Sequence, residues 1–185
     1  MRKVALYMLC GLASTCFAVA VQAQDASGTS VPAADKTFVM KAAQGGMAEV
    51  NLGKLAAEKA SRPDVKEFGN MMVEDHTKAN DQLKSVANQK SLPIPTDVGA
   101  KHQALYDRLS KLSGPAFDKA YVKAMVKDHH EDVGDFRKEA KSGKDPDIKN
   151  FASQTLPVLE KHLTAIEKIQ KEGGNSGGDP KMSGQ

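Results

Sequence analysis

The side chains in this sequence best equipped for chemistry are one glutamate and three histidines: Glu49, His76, His129 and His162. Each interrupts an apolar stripe whose members recur every three or four residues, the period of one helix face. The stripes read Phe38, Ala42, Gly45, Glu49, Leu52, Ala56, then Val65, Phe68, Met72, His76, Ala79, Leu83, Val86. The other two are Val122, Met125, His129, Val133, Phe136, Ala140, and Ile148, Phe151 or Ala152, Thr155, Leu159, His162, Ile166, Ile169. One carboxylate and three imidazoles are therefore expected to point into one core. Burying four polar groups costs several kcal/mol unless something pairs them. A metal ion would do so, and so would a closed hydrogen-bond network; the sequence leaves both open.

The residues flanking these four narrow the chemistry. Met72-Val73-Glu74-Asp75-His76 recurs as Met125-Val126-Lys127-Asp128-His129, 53 residues further on. This string places Met and His on one helix face at i, i+4 and turns the Asp about 100° away. Asp75 and Asp128 are thus flanking candidates, to orient an imidazole or to ligate. Met72 and Met125 sit one turn from their histidines, as thioether ligands for copper or as ordinary core filler. A histidine-rich, carboxylate-poor set suits a single Zn, Cu, Ni or Fe ion. A di-iron centre in a helical bundle takes four carboxylates and paired Glu-x-x-His motifs, which these stripes lack. His102 and His130 read as surface residues.

Four long helices must position these groups. Asp35 is placed to cap the first, which runs to about Ala60, and Ser61-Arg62-Pro63-Asp64 opens the second, which runs to about Lys90. Ser113-Gly114-Pro115 opens the third, and Asp145-Pro146-Asp147 opens a fourth that ends before Gly173-Gly174. Short gaps make the first pair and the last pair antiparallel hairpins. The connector over 91–113 carries Leu92-Pro93-Ile94-Pro95 and a short helical stretch around Leu105 and Leu109. It is long enough to cross back along a helix of about 39 Å, which would make the second and third long helices parallel, as in ferritin-like bundles. A plain up-down bundle remains the alternative. Pro157 should kink the last helix, and Gly45-Gly46 and Gly53 suggest close helix approach.

Composition agrees with an all-α chain, since only 5% of the 185 residues are aromatic and none is Trp. The first 23 residues form a basic start (Arg2, Lys3), an apolar run to Val21 and a Val21-Gln22-Ala23 cleavage pattern. They also hold both cysteines, Cys10 and Cys16, and Cys16 lacks a convincing lipidation context. The remainder of the chain is near-neutral and has no cysteine, which excludes thiol catalysis, zinc–thiolate sites and iron–sulfur clusters. It also lacks the concentrated basic face that nucleic acid requires, and no membrane span is expected after cleavage. The expected organisation is a signal peptide over 1–23, a flexible linker over 24–34, a ferritin-like bundle over 35–172 and a disordered Gly/Ser-rich tail over 173–185.

Several strings resemble a known family. Gly45-Gly46-Met47-Ala48-Glu49-Val50-Asn51-Leu52-Gly53, Met72-Val73-Glu74-Asp75-His76, Phe117-Asp118-Lys119-Ala120-Tyr121 and Thr155-Leu156-Pro157 with Leu159 and His162 are similar to domain of unknown function 4142. That exported bacterial family often carries the label "predicted outer membrane protein". The resemblance implies a ferritin-like bundle and export, and no established activity. The sequence has no barrel pattern, so the expected location is the periplasm or the exterior, with surface or outer-membrane association left open. The leading expectation is an exported bundle with a His/Glu metal site or polar core. The alternatives are a structural or stress-related envelope protein without metal and, behind it, a bundle-core metalloenzyme. Envelope partners and oligomeric state are not legible.

Overall fold

A computed structural model describes residues 30–175. The expected signal peptide, most of the linker and nearly all of the tail lie outside the described residues. The helices are, in chain order, α1 (Ala33–Lys59), α2 (Pro63–Gln89), α3 (Gly99–Ser110), α4 (Gly114–Ser142) and α5 (Pro146–Asn175). There is no strand among the described residues.

Polar contacts at the two ends of the bundle establish its topology. At one end Asp118, near the start of α4, accepts hydrogen bonds from the backbone N–H groups of Ser61 (3.0 Å) and Arg62 (3.1 Å), and from the Ser61 hydroxyl. Arg62 also donates to the Ile169 carbonyl late in α5, at 3.2 Å. At the other end Asp35, in the first turn of α1, accepts from the backbone of Lys144 (2.9 Å) and Asp145 (2.6 Å) between α4 and α5. Lys90, just past α2, pairs with Asp145 at 3.0 Å and Asp147 at 2.5 Å. Hence α2 and α4 both start at the Asp118 end and run parallel. The segment containing α3 returns the chain along the bundle between them, which is the ferritin-like arrangement.

These contacts correct two capping expectations. Asp35 does not cap α1, and Ser61 makes no side-chain cap on α2. Each end of the bundle instead has a carboxylate from one hairpin satisfying backbone N–H donors at the turn of the other. Such cross-hairpin caps cannot be read from local spacing. In addition, α5 continues through Gly173-Gly174, and its helix spans Pro157.

The hairpin α1/α2 is drawn tight by two glycines. A Cβ on Gly53 would meet the Gly69 carbonyl oxygen at 2.6 Å, and one on Gly69 would meet the Gly53 oxygen at 2.7 Å. Only glycine on both helices lets the backbones come this near. Two apolar clusters fill the bundle, one around Phe68, Phe117 and Tyr121, the other around Phe38, Phe136 and Phe151. Glu49, His76, His129 and His162, one on each long helix, fall between these clusters.

Candidate metal centre

Each long helix contributes one group to this layer: Glu49 from α1, His76 from α2, His129 from α4 and His162 from α5. None is more than 5% exposed. The three imidazoles form a triangle with ring centroids 6.1 Å (His76–His129), 5.2 Å (His76–His162) and 5.6 Å (His129–His162) apart. Phe68 closes one side, edge-on to His129 at 6.0 Å and to His162 at 6.2 Å. One ring nitrogen from each histidine lies within 4.8 Å of the other two.

Each imidazole has one nitrogen held by an oxygen. His76 Nδ1 donates to Glu49 Oε2 at 2.9 Å, His129 Nδ1 to the Met125 carbonyl at 3.0 Å, and His162 Nε2 to Asp75 Oδ2 at 2.8 Å. In a neutral ring the donor nitrogen keeps the proton, so the other nitrogen carries a bare lone pair. Those others, His76 Nε2, His129 Nε2 and His162 Nδ1, are all buried without a hydrogen-bond partner. Burial favours the neutral ring, lowering His76 to about 4 and His129 to about 3. His162 is lowered too, against the opposing pull of its bond to Asp75. Orphaned nitrogens on neutral, oriented rings fit the donor set of a transition metal.

The flanking candidates divide. Asp75 orients His162. Asp128 lies instead in a second group, with one carboxylate oxygen each from Glu49, Asp128 and Asp132 within 4.8 Å of one another. Met72 and Met125 are fully buried in the apolar cluster next to the layer; Met125 meets His129 through its backbone carbonyl. Burial raises Glu49 well above the usual carboxylate range, assisted by the charge of Asp128. The same causes, burial first and then Glu49 and Asp128, raise Asp132.

Two functional candidates are not evident in the sequence. Asp132 sits one turn after Asp128 and beside the α4 stripe, so the i, i+4 acid pair was the available signal. Tyr121 is fully buried with no partner for its hydroxyl, and burial followed by the Glu49 charge pushes its pKa up. His130 is exposed and pairs with Glu167 at 3.1 Å. His102 is half-buried rather than on the surface, and with Ala48, Asn51, Val98, Gln103 and Tyr106 it lines a pocket of about 190 Å³ between α1 and α3.

Comparison with known proteins supports the same architecture. No curated protein matches the sequence. A DUF305 fragment from Deinococcus radiodurans superposes with a TM-score of 0.67 at 13% identity, over 77% of this chain and 98% of that one. A DUF305 protein from Streptomyces coelicolor gives 0.65 at 14% identity, over 76% and 92%. CopM in its Cu(II)-bound form gives 0.63 at 14% identity, over 75% and 96%. At these identities the likeness is one of fold. The model of the DUF4142 family, a domain of unknown function, matches residues 20–169, and the chain belongs to that family.

Proposed function

We propose that this protein is an exported, non-catalytic binder of one transition-metal ion, held by His76, His129 and His162 with Glu49 beside them. The observation that carries this reading is the set of three buried ring nitrogens without a hydrogen bond, each on an imidazole fixed through its other nitrogen; His129 Nε2 faces Glu49 Oε1 at 3.5 Å. Leaving three such acceptors dry is costly, and coordination would offset that cost. Copper is the ion to test first, because imidazoles suit it and a protein of the same fold was solved with Cu(II) bound. Zinc, nickel and iron are the competitors.

Binding is favoured over turnover by the available space. The cavity beside Glu49 and His76, which His129 and His162 do not line, is about 20 Å³, room for a single water-sized molecule. Export rests on the residues before 24; among the described residues, no helix is long and apolar enough to cross a membrane.

The deciding experiment strips the purified chain of metal and titrates it with Cu(II), then Zn(II), Ni(II) and Fe(II), alongside a His129→Ala/His162→Ala variant. One equivalent bound by the wild type and lost in the variant supports the proposal. Equal binding by both chains, or stoichiometric binding of none of these ions, overturns it in favour of a polar core in an envelope structural protein.

A further inference from the structure

The carboxylates of Glu49, Asp128 and Asp132 lie together next to the histidine layer, yet a three-histidine metal site gives Asp128 and Asp132 no task. Asp128 and Asp132 are one turn apart on α4, and Glu49 faces them from α1. One oxygen from each falls within 4.8 Å of the others. Among the described residues none of the three forms an ion pair with Lys or Arg. Three acids gathered this closely repel one another unless protons or a cation neutralise them.

Two further observations point to a cation. Glu49 is 1% exposed, and its Oε1 makes no hydrogen bond, with His129 Nε2 at 3.5 Å. The cavity of about 20 Å³ is lined by Glu49 and Asp132 but not by Asp128, so there is space for one small occupant beside two of these acids. Gly45 borders that cavity, and a Cβ built there would meet nothing within 4 Å.

We propose that Glu49, Asp128 and Asp132 form a second cation position that takes a hard divalent ion, next to the three-histidine position and sharing Glu49 with it. The donor chemistry separates the two. Imidazole nitrogens select the softer transition metals, and an all-oxygen carboxylate set selects Mn(II), Mg(II) or Ca(II). Glu49 Oε2 is bonded to His76 and Oε1 lies 3.5 Å from His129 Nε2, while one Glu49 oxygen is within 4.8 Å of the Asp128 and Asp132 oxygens, so one residue borders both groups. The second position has Glu49 in common with the transition-metal site but does not depend on the histidines ligating.

Mn(II) is the probe, followed by the loss of the free-ion paramagnetic resonance signal as it is added to the metal-stripped full chain. The wild type should bind one equivalent. Asp132→Asn and Asp128→Asn nearly conserve volume, and each should weaken binding by about tenfold or more. The His129→Ala/His162→Ala variant should keep its Mn(II) affinity within about threefold while losing the transition metal. No stoichiometric Mn(II) in the wild type, or unchanged affinity in both Asn variants, overturns the proposal. Loss of Mn(II) in the histidine variant, with its thermal melt intact, also overturns it by showing a single mixed site. Mn(II) retained where Cu(II) never binds sinks the histidine reading alone.

Discussion

Glu49 Oε2 accepts the Nδ1 proton of His76 at 2.9 Å, and this contact leaves Nε2 as the bare nitrogen of the His76 ring. The same carboxylate is buried beside Asp128, so it is held well above its usual pKa. A raised folded value means that its stabilising contribution is complete below about pH 4.5 and is lost as pH climbs through the folded pKa. Glu49→Gln keeps an acceptor oxygen and removes this loss. Metal-free Glu49→Gln should therefore be more stable than the wild type at pH 8, by about 1 kcal/mol. Its transition-metal affinity should fall about 10- to 100-fold. Denaturant melts and a competitive metal titration check both halves.

The histidines titrate in the opposite sense. His76 at about 4 and His129 at about 3 lie below the unfolded value, so the unfolded chain takes up protons first. Their contribution is present above about pH 6.5 and disappears as pH falls toward those folded values. Glu49 and Asp132 shift the other way, so the diagnostic is the difference between two chains. Metal-free wild type should lose melting temperature relative to His129→Leu between about pH 6.5 and 4. Parallel curves for the two chains would contradict a neutral buried His129.

Asp75 acts on His162 through one hydrogen bond of 2.8 Å. Asp75→Asn can present either an amide N–H or a carbonyl to the ring, so the fixed tautomer is lost. Transition-metal affinity should drop about 10- to 100-fold. The Asp75 side chain is 29% exposed, so stability should change by less than about 1 kcal/mol. A large stability loss with unchanged affinity would show that Asp75 serves packing.

Gly53 and Gly69 test the α1/α2 crossing. Alanine raises helix propensity by about 1 kcal/mol relative to glycine. At Gly69 the new methyl would sit 2.7 Å from the Gly53 oxygen and 2.9 Å from the Ala56 Cβ, and neither can swing aside. Gly69→Ala should be destabilising by about 1–3 kcal/mol in a denaturant melt. Gly134→Ala, where nothing lies within 4 Å of the added carbon, should be neutral or stabilising.

The helices and the four inward groups were legible because a 3.6-residue period survives in a single sequence. Glu49, His76, His129 and His162 stand out as polar residues in apolar stripes, and the similar distances to the hairpin turns put them at one level. The parallel run of α2 and α4 was only permitted by connector length. What establishes it is the meeting of Asp118 with Ser61 and of Asp35 with Asp145, contacts across 57 and 110 residues. Asp132 was missed because a carboxylate beside an apolar stripe usually faces water. Its partner Glu49 lies on another helix, and no local spacing links the two. The role of each flanking Asp was likewise open: both belong to the same Met-Val-x-Asp-His string, yet Asp75 meets His162 and Asp128 meets other acids.

Each hairpin is packed extensively within itself, whereas the two hairpins meet along thinner seams, and the four central groups come one from each long helix. Beyond Cys16 the chain has no cysteine with which to staple those seams. An ion held by the three histidines, with Glu49 of α1 bonded to one of them, would be that staple. Unlike a disulfide it would be indifferent to reductant and would open to acid or a chelator, so the bundle's mechanical integrity would follow the supply of metal around it.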